Sequence, residues 1–65
     1  MLITEGGKLN IEVYNINGQL VANPMNDYQE EGIWQGEIGT NLPSGFYFVR
    51  ASINQQSHTL KFIKE

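Results

Sequence analysis

Leu42-Pro43-Ser44-Gly45 runs without a break into Phe46-Tyr47-Phe48-Val49-Arg50, a tight turn followed at once by a block of large apolar residues. Pro43 has its φ locked by the pyrrolidine ring, and Gly45 is free to take the positive φ that closes a type II turn or a bulge. Aromatic and β-branched side chains suit the pleated, half-buried surface of a sheet. The spacing predicts a strand over residues 45–53, with Tyr47, Val49, Ala51 and Ile53 on an inward face and Phe46 and Phe48 on the other. A strand apolar on both sides at its start belongs in the middle of a sheet or beneath a loop.

Turn signals recur at short intervals on either side of this strand: Gly6-Gly7, Asn17-Gly18, Asn23-Pro24, Gly32 and Asn54-Gln55-Gln56. The runs between them alternate with period two, the pattern of an all-β meander or sandwich. Lys8 to Val13 places Leu9, Ile11 and Val13 on the core side and Asn10 and Glu12 toward water. Asn17-Gly18 has the chemistry of a type I′ hairpin, which would return the chain as Gln19 to Ala22. Residues 23–31 show no helical stripe, and Pro24 removes a ladder donor, so this stretch reads as a loop with at most one weak edge strand. Gly32 to Ile38 puts Trp34 and Ile38 on one face, with Gly36 between them leaving room for an aromatic ring. The last strand, from His58 to Glu65, turns Leu60 and Phe62 inward and sets Lys61 and Lys64 around Ile63. No helix is predicted. The expected fold is a single all-β domain spanning residues 1–65, an antiparallel meander or small sandwich.

Composition narrows the function. The chain has 65 residues, so one small core at most, and no cysteine to staple it. A net charge of −3 argues against nucleic acid, which demands a basic face to neutralise phosphates. No apolar run approaches the ~20 residues of a membrane-crossing helix, so no membrane insertion is expected. Met1 to Glu5 lacks the basic and apolar regions of a signal peptide, and Met1 reads as an added start.

Three segments, in order, carry a resemblance to a known family. They are Tyr14, Asn15, Gly18, Gln19 and Val21; then Leu42, Pro43, Ser44, Gly45, Tyr47 and Val49; then Lys61, Ile63 and Lys64. Together they resemble the C-terminal sorting domain, type A, of type IX secretion cargo in Bacteroidetes, over roughly residues 8–65. The resemblance implies an immunoglobulin-like sandwich and an export signal in place of an enzyme. It also implies candidate recognition residues Lys61, Ile63, Lys64 and Glu65, and no cofactor. Its partners would be the type IX machinery, a sortase-like peptidase and an N-terminal cargo domain. The protein would cross the periplasm and end at the cell surface or outside. The family's Tyr-Pro-Asn-Pro segment and first strand have no counterpart upstream of Gly6-Gly7, so a domain lacking its first strand is expected. The rival function is a structural or carbohydrate-binding β-sandwich module of a secreted enzyme.

Chemistry-bearing residues are few. His58 is the sole histidine, and alternation turns it away from Ser57; Ser44 and Ser52 are explained by turn and strand positions. Asp27, Glu30 and Glu31 lack the spacing and glycine turn of a calcium loop. Trp34, flanked by Ile33 and Ile38, reads as a core or interface residue and not a sugar platform. A missing first strand would leave a sheet edge unpaired, which predicts a homodimer with the N-terminal segment or residues 8–14 at the contact. The competing arrangement is a monomer in which residues 1–5 replace the missing strand.

Overall fold

The computed structural model describes residues 1–36 and 41–65. Six strands follow in chain order: β1 (Leu2–Ile3), β2 (Gly7–Asn15), β3 (Leu20–Gln29), β4 (Gly32–Ile33), β5 (Gly45–Ile53) and β6 (Gln56–Lys64). Four long strands make one antiparallel sheet in the order β3-β2-β5-β6, and β1 pairs with β4 in a second, much smaller one. There is no helix among the described residues.

The centre of the large sheet is the pairing of β2 with β5, which runs from Leu9 opposite Ile53 to Asn15 opposite Tyr47. Alternation then does the sorting. Leu9 and Val13 have no exposed surface, Ile11 has 2%, and Tyr47 is buried on the same face. Ile3 of β1 completes the cluster with Leu9 and Ile11, and Met25, Trp34, Val49, Ala51 and Ile53 pack around it. Each fully buried aliphatic side chain stabilises the fold by about 1.5–3 kcal/mol relative to exposure. The predicted strand over residues 45–53 is observed with those limits, and its central place between β2 and β6 explains why both of its faces start apolar.

The small sheet is what the start of the N-terminal segment, Leu2–Ile3, becomes. Met1 and Trp34 extend the β1–β4 ladder: the Trp34 N–H donates to the Met1 carbonyl, and the Met1 amine donates to the Trp34 carbonyl, each at 2.8 Å. The sheet edge expected at residues 8–14 is therefore not there, because β2 is hydrogen-bonded on both sides. The N-terminal segment is likewise paired within its own chain.

Three local expectations are corrected. Residues 23–29 are strand and not chiefly loop: the edge strand allowed there is β3, which continues through Pro24 to Gln29. Pro24 is accommodated because β3 is an edge strand and because Asn23 and Pro24 together oppose the single residue Glu12, a bulge where the missing donor has no ladder partner to lose. The Asn17-Gly18 hairpin is not type I′. Among the described non-glycine residues only Asn54 has positive φ, so Asn17 does not, while Gly18 has φ of 80°. The loop is Ile16-Asn17-Gly18, a type I turn ending in a left-handed glycine. Gly45 has φ of 156° and opens β5 in an extended, glycine-specific conformation, not the φ of about +80° of a type II turn. At Gly36 the expected ring is Trp34's own, which would lie 2.6 Å from any added Cβ. Ile38 lies outside the described residues.

Candidate functional site

The three sequence segments converge at one end of the large sheet. Asn15 organises the first. Its backbone N–H donates to the Gln19 carbonyl and its own carbonyl accepts from the Gly18 N–H, both at 3.0 Å. Its side-chain oxygen accepts from the N–H groups of Asn17 and Gln19, and its amide donates to the Gln19 side chain, again at 3.0 Å. One asparagine thus satisfies the loop's polar groups, which is why asparagine and a following glycine recur in such turns. Tyr14, beside it, lies on the outer face opposite Leu20 and Phe48. The Glu12 carboxylate beside the Tyr14 phenol raises its pKa above the usual value; desolvation adds to this and Arg50 opposes it.

Tyr47 organises the second segment. Its hydroxyl donates to the Pro43 carbonyl at 2.6 Å, so the turn is tied to the strand it precedes. Its ring stacks on Phe62 of β6 with centroids 5.4 Å apart and planes 25° apart. That stack joins the second segment to the third, because Phe62 lies directly opposite Tyr47 in the β5–β6 ladder.

The candidate recognition residues occupy the end of β6. Lys61 lies opposite Phe48 and Ile63 opposite Phe46, which puts both on the outer face. The Lys61 ammonium sits 5.1 Å from the Phe46 ring centroid. Ile63 is 61% exposed beside it. Lys64 pairs with Gly45 on the opposite face and is half-buried, and Glu65 follows the strand. The two lysines that flank Ile63 in sequence therefore do not present one joint charge. Phe46, Phe48, Leu20 and Ile63 form an exposed apolar band across the outer face, which the sequence reading did not single out. The signal was the second apolar face of residues 45–53.

Other polar residues have local roles. Asp27 accepts the Tyr28 N–H at 2.7 Å, and His58 is exposed on β6. No group of three His, Cys, Asp or Glu residues is placed to hold a metal among the described residues. Trp34 packs against the core cluster between the sheets.

Two antiparallel sheets of these proportions, with polar side chains tying turns to strands, define a small all-β module whose distinctive surface is a terminal strand. The family model for secretion system C-terminal sorting domains matches residues 1–65, and the chain belongs to that family. It is a sorting domain of type IX secretion, a system of Bacteroidetes that delivers attached cargo to the cell surface or beyond. No curated protein and no solved structure matches it significantly.

Proposed function

We propose that the domain is a non-catalytic export signal read at its final strand, with Lys61, Ile63, Lys64 and Glu65 as the contacts of the type IX machinery. It would accompany an N-terminal cargo through the periplasm and across the outer membrane, where a sortase-like peptidase acts on the linkage to the cargo. One observation carries this reading: β6 is an edge strand, and it presents Ile63 and the Phe46-held Lys61 side by side on an accessible face. An edge strand offers backbone groups and alternate side chains together, which suits recognition by a larger receptor. The packing of Trp34 against the core cluster favours this reading over a sugar-binding one.

The test is export of a reporter fused ahead of the domain in a type IX-competent host. Removing residues 61–65 should hold the reporter in the periplasm. The double substitution Lys61→Gln, Lys64→Gln should reduce release while the domain stays folded by circular dichroism. Equal release from all three would refute recognition at β6.

A further inference from the structure

The hairpin between β2 and β3 holds one polar side chain that neither packing nor hydrogen bonding uses. Asn17 is exposed, and among the described residues its carboxamide has no hydrogen-bond partner. Gly18 follows it, and no other asparagine of the chain precedes a glycine. Gly18 has φ of 80°, and apart from its chain neighbours nothing lies within 4 Å of where a Cβ would stand. Its backbone nitrogen is therefore open to approach by the Asn17 side chain. Joining that nitrogen to Asn17 Cγ closes a five-membered ring, an intramolecular attack favoured by proximity. Other asparagines lack this freedom. Asn15 precedes the β-branched Ile16 and spends its carboxamide on three hydrogen bonds. Asn23 precedes Pro24, which has no N–H, and its amide donates to the Asn10 side chain. The Asn54 amide donates to the carbonyls of Glu5 and Gly6.

One contact restrains the attack. The Gly18 N–H donates to the Asn15 carbonyl at 3.0 Å, and a nitrogen held there is not free to reach Asn17. The Asn15 side-chain oxygen accepts from the N–H groups of Asn17 and Gln19, on either side of Gly18, and so keeps that nitrogen in place. Reaction requires the loop to open locally, which an exposed hairpin end does more readily than a core strand. We infer that Asn17 is a self-modification site, converted by water to aspartate or isoaspartate at a rate that Asn15 restrains.

The Gly18 nitrogen, its proton given up to solvent, bonds to Asn17 Cγ; the Cγ–Nδ2 bond breaks and ammonia leaves. Water then opens the resulting succinimide. Cleavage between the Gly18 nitrogen and Cγ leaves aspartate, and cleavage between that nitrogen and the Asn17 backbone carbonyl carbon leaves isoaspartate. One water is consumed and one ammonia released, with no change of oxidation state. Either product adds one negative charge to a chain whose net charge is −3. Isoaspartate also routes the main chain through the former side chain and lengthens it by one carbon, which puts the Gly18 and Gln19 N–H groups out of step with Asn15. The strand that resumes there begins at Leu20, opposite Tyr14 in the exposed apolar band, and its pairing is what the isoaspartate form loosens. The inference stands on the hairpin alone and does not depend on how export is read.

The experiment incubates the folded domain in mildly alkaline buffer, with water as the reactant. It follows released ammonia and intact mass, and locates isoaspartate by peptide fragmentation. The parent should release one ammonia per chain, with the change confined to the peptide that holds Asn17. Asn17→Gln, whose longer side chain would need a six-membered ring, should stay unmodified. Asn15→Ala should react about fivefold faster or more, the factor for losing one ordinary hydrogen bond. Asn54→Ala, which removes an anchor at the other end of the sheet, should keep the parent's rate. Amide exchange in the isoaspartate form should quicken at Leu20 and Val21 and stay unchanged in β6. A folded parent still unmodified when its urea-unfolded chain has reacted, modification centred on another asparagine, or equal rates in Asn15→Ala and Asn54→Ala would each overturn the inference.

Discussion

β3 and β6 are of nearly equal length and hang on opposite sides of the same central pair, yet one is broken up and the other is not. β3 accommodates Asn23-Pro24 and Val21 as extra residues against β2, so its outward backbone groups are out of step and present no regular ladder. β6 keeps step with β5 throughout and ends in the residues proposed for recognition. The difference teaches that edge protection here is selective. A chain that must avoid random aggregation blunts one edge with backbone irregularity and leaves the other regular, the form an edge needs if it is to pair with a partner.

The severest way to break the comparison is to remove what both edges share. Tyr47→Ala takes away a buried ring that stacks on Phe62 and ties down Pro43, and should cost about 3–5 kcal/mol. A domain this small has little margin, so urea unfolding should show a transition shifted to near zero denaturant with both edges lost together. An unchanged midpoint would mean that the faces of β5 are assigned the wrong way round.

Next in size is a proline scan of β6. Leu60→Pro removes an N–H that the alternation directs to β5 and should cost about 3 kcal/mol. Thr59→Pro removes one directed outward and should be far milder, as Pro24 is in β3. Equal losses at the two positions would show that the outward-facing groups of β6 have been misplaced.

The hairpin between β2 and β3 sets the phase of the blunted edge, and Asn15 holds it through three side-chain hydrogen bonds. Asn15→Ala should cost about 1–2 kcal/mol. Amide exchange should quicken in the first residues of β3 and stay unchanged in β6. Equal quickening in both would show that the two edges are not independent.

The smallest effect is electrostatic. Glu12 raises the Tyr14 pKa above 10.0, so the folded state holds the phenolic proton more tightly than the unfolded chain does. The resulting stabilisation is present below the ordinary tyrosine pKa and is lost as pH rises through the raised one. Ultraviolet titration differenced against a Tyr14→Phe variant should show Tyr14 ionising above its ordinary range, and Glu12→Gln should lower its pKa. A profile unaffected by that substitution would remove Glu12 as the cause.

Much of this was legible beforehand in particular residues. The alternation of Leu9, Ile11 and Val13 gave the core side of β2, and the aromatic block after Gly45 gave β5 with its observed limits and its central place. The three segments that carried the family resemblance lie on one end of one sheet, joined by the Tyr47–Phe62 stack. The length of β3 was hidden, because a proline in sequence disfavours a strand interior and left room for only a weak edge strand, whereas the bulge at Asn23-Pro24 lets the edge run on to Gln29. The hairpin type was misjudged for a related reason: Asn-Gly permits two positive φ values, but the three-residue loop tied down by Asn15 uses one.

Sequence by itself determined the strands β2 and β5, the side chains of each that turn inward, and the turns that bound them. These are set by local stereochemistry and by a period-two pattern that reads the same in any β fold. The tertiary structure decided that Leu2–Ile3 pair with Gly32–Ile33 to cover the core, that β2 lies inside the sheet, and that β6 is left as its regular edge. Strand order depends on hydrogen bonds between residues distant in sequence, and alternation along one strand carries no record of which neighbour will supply them.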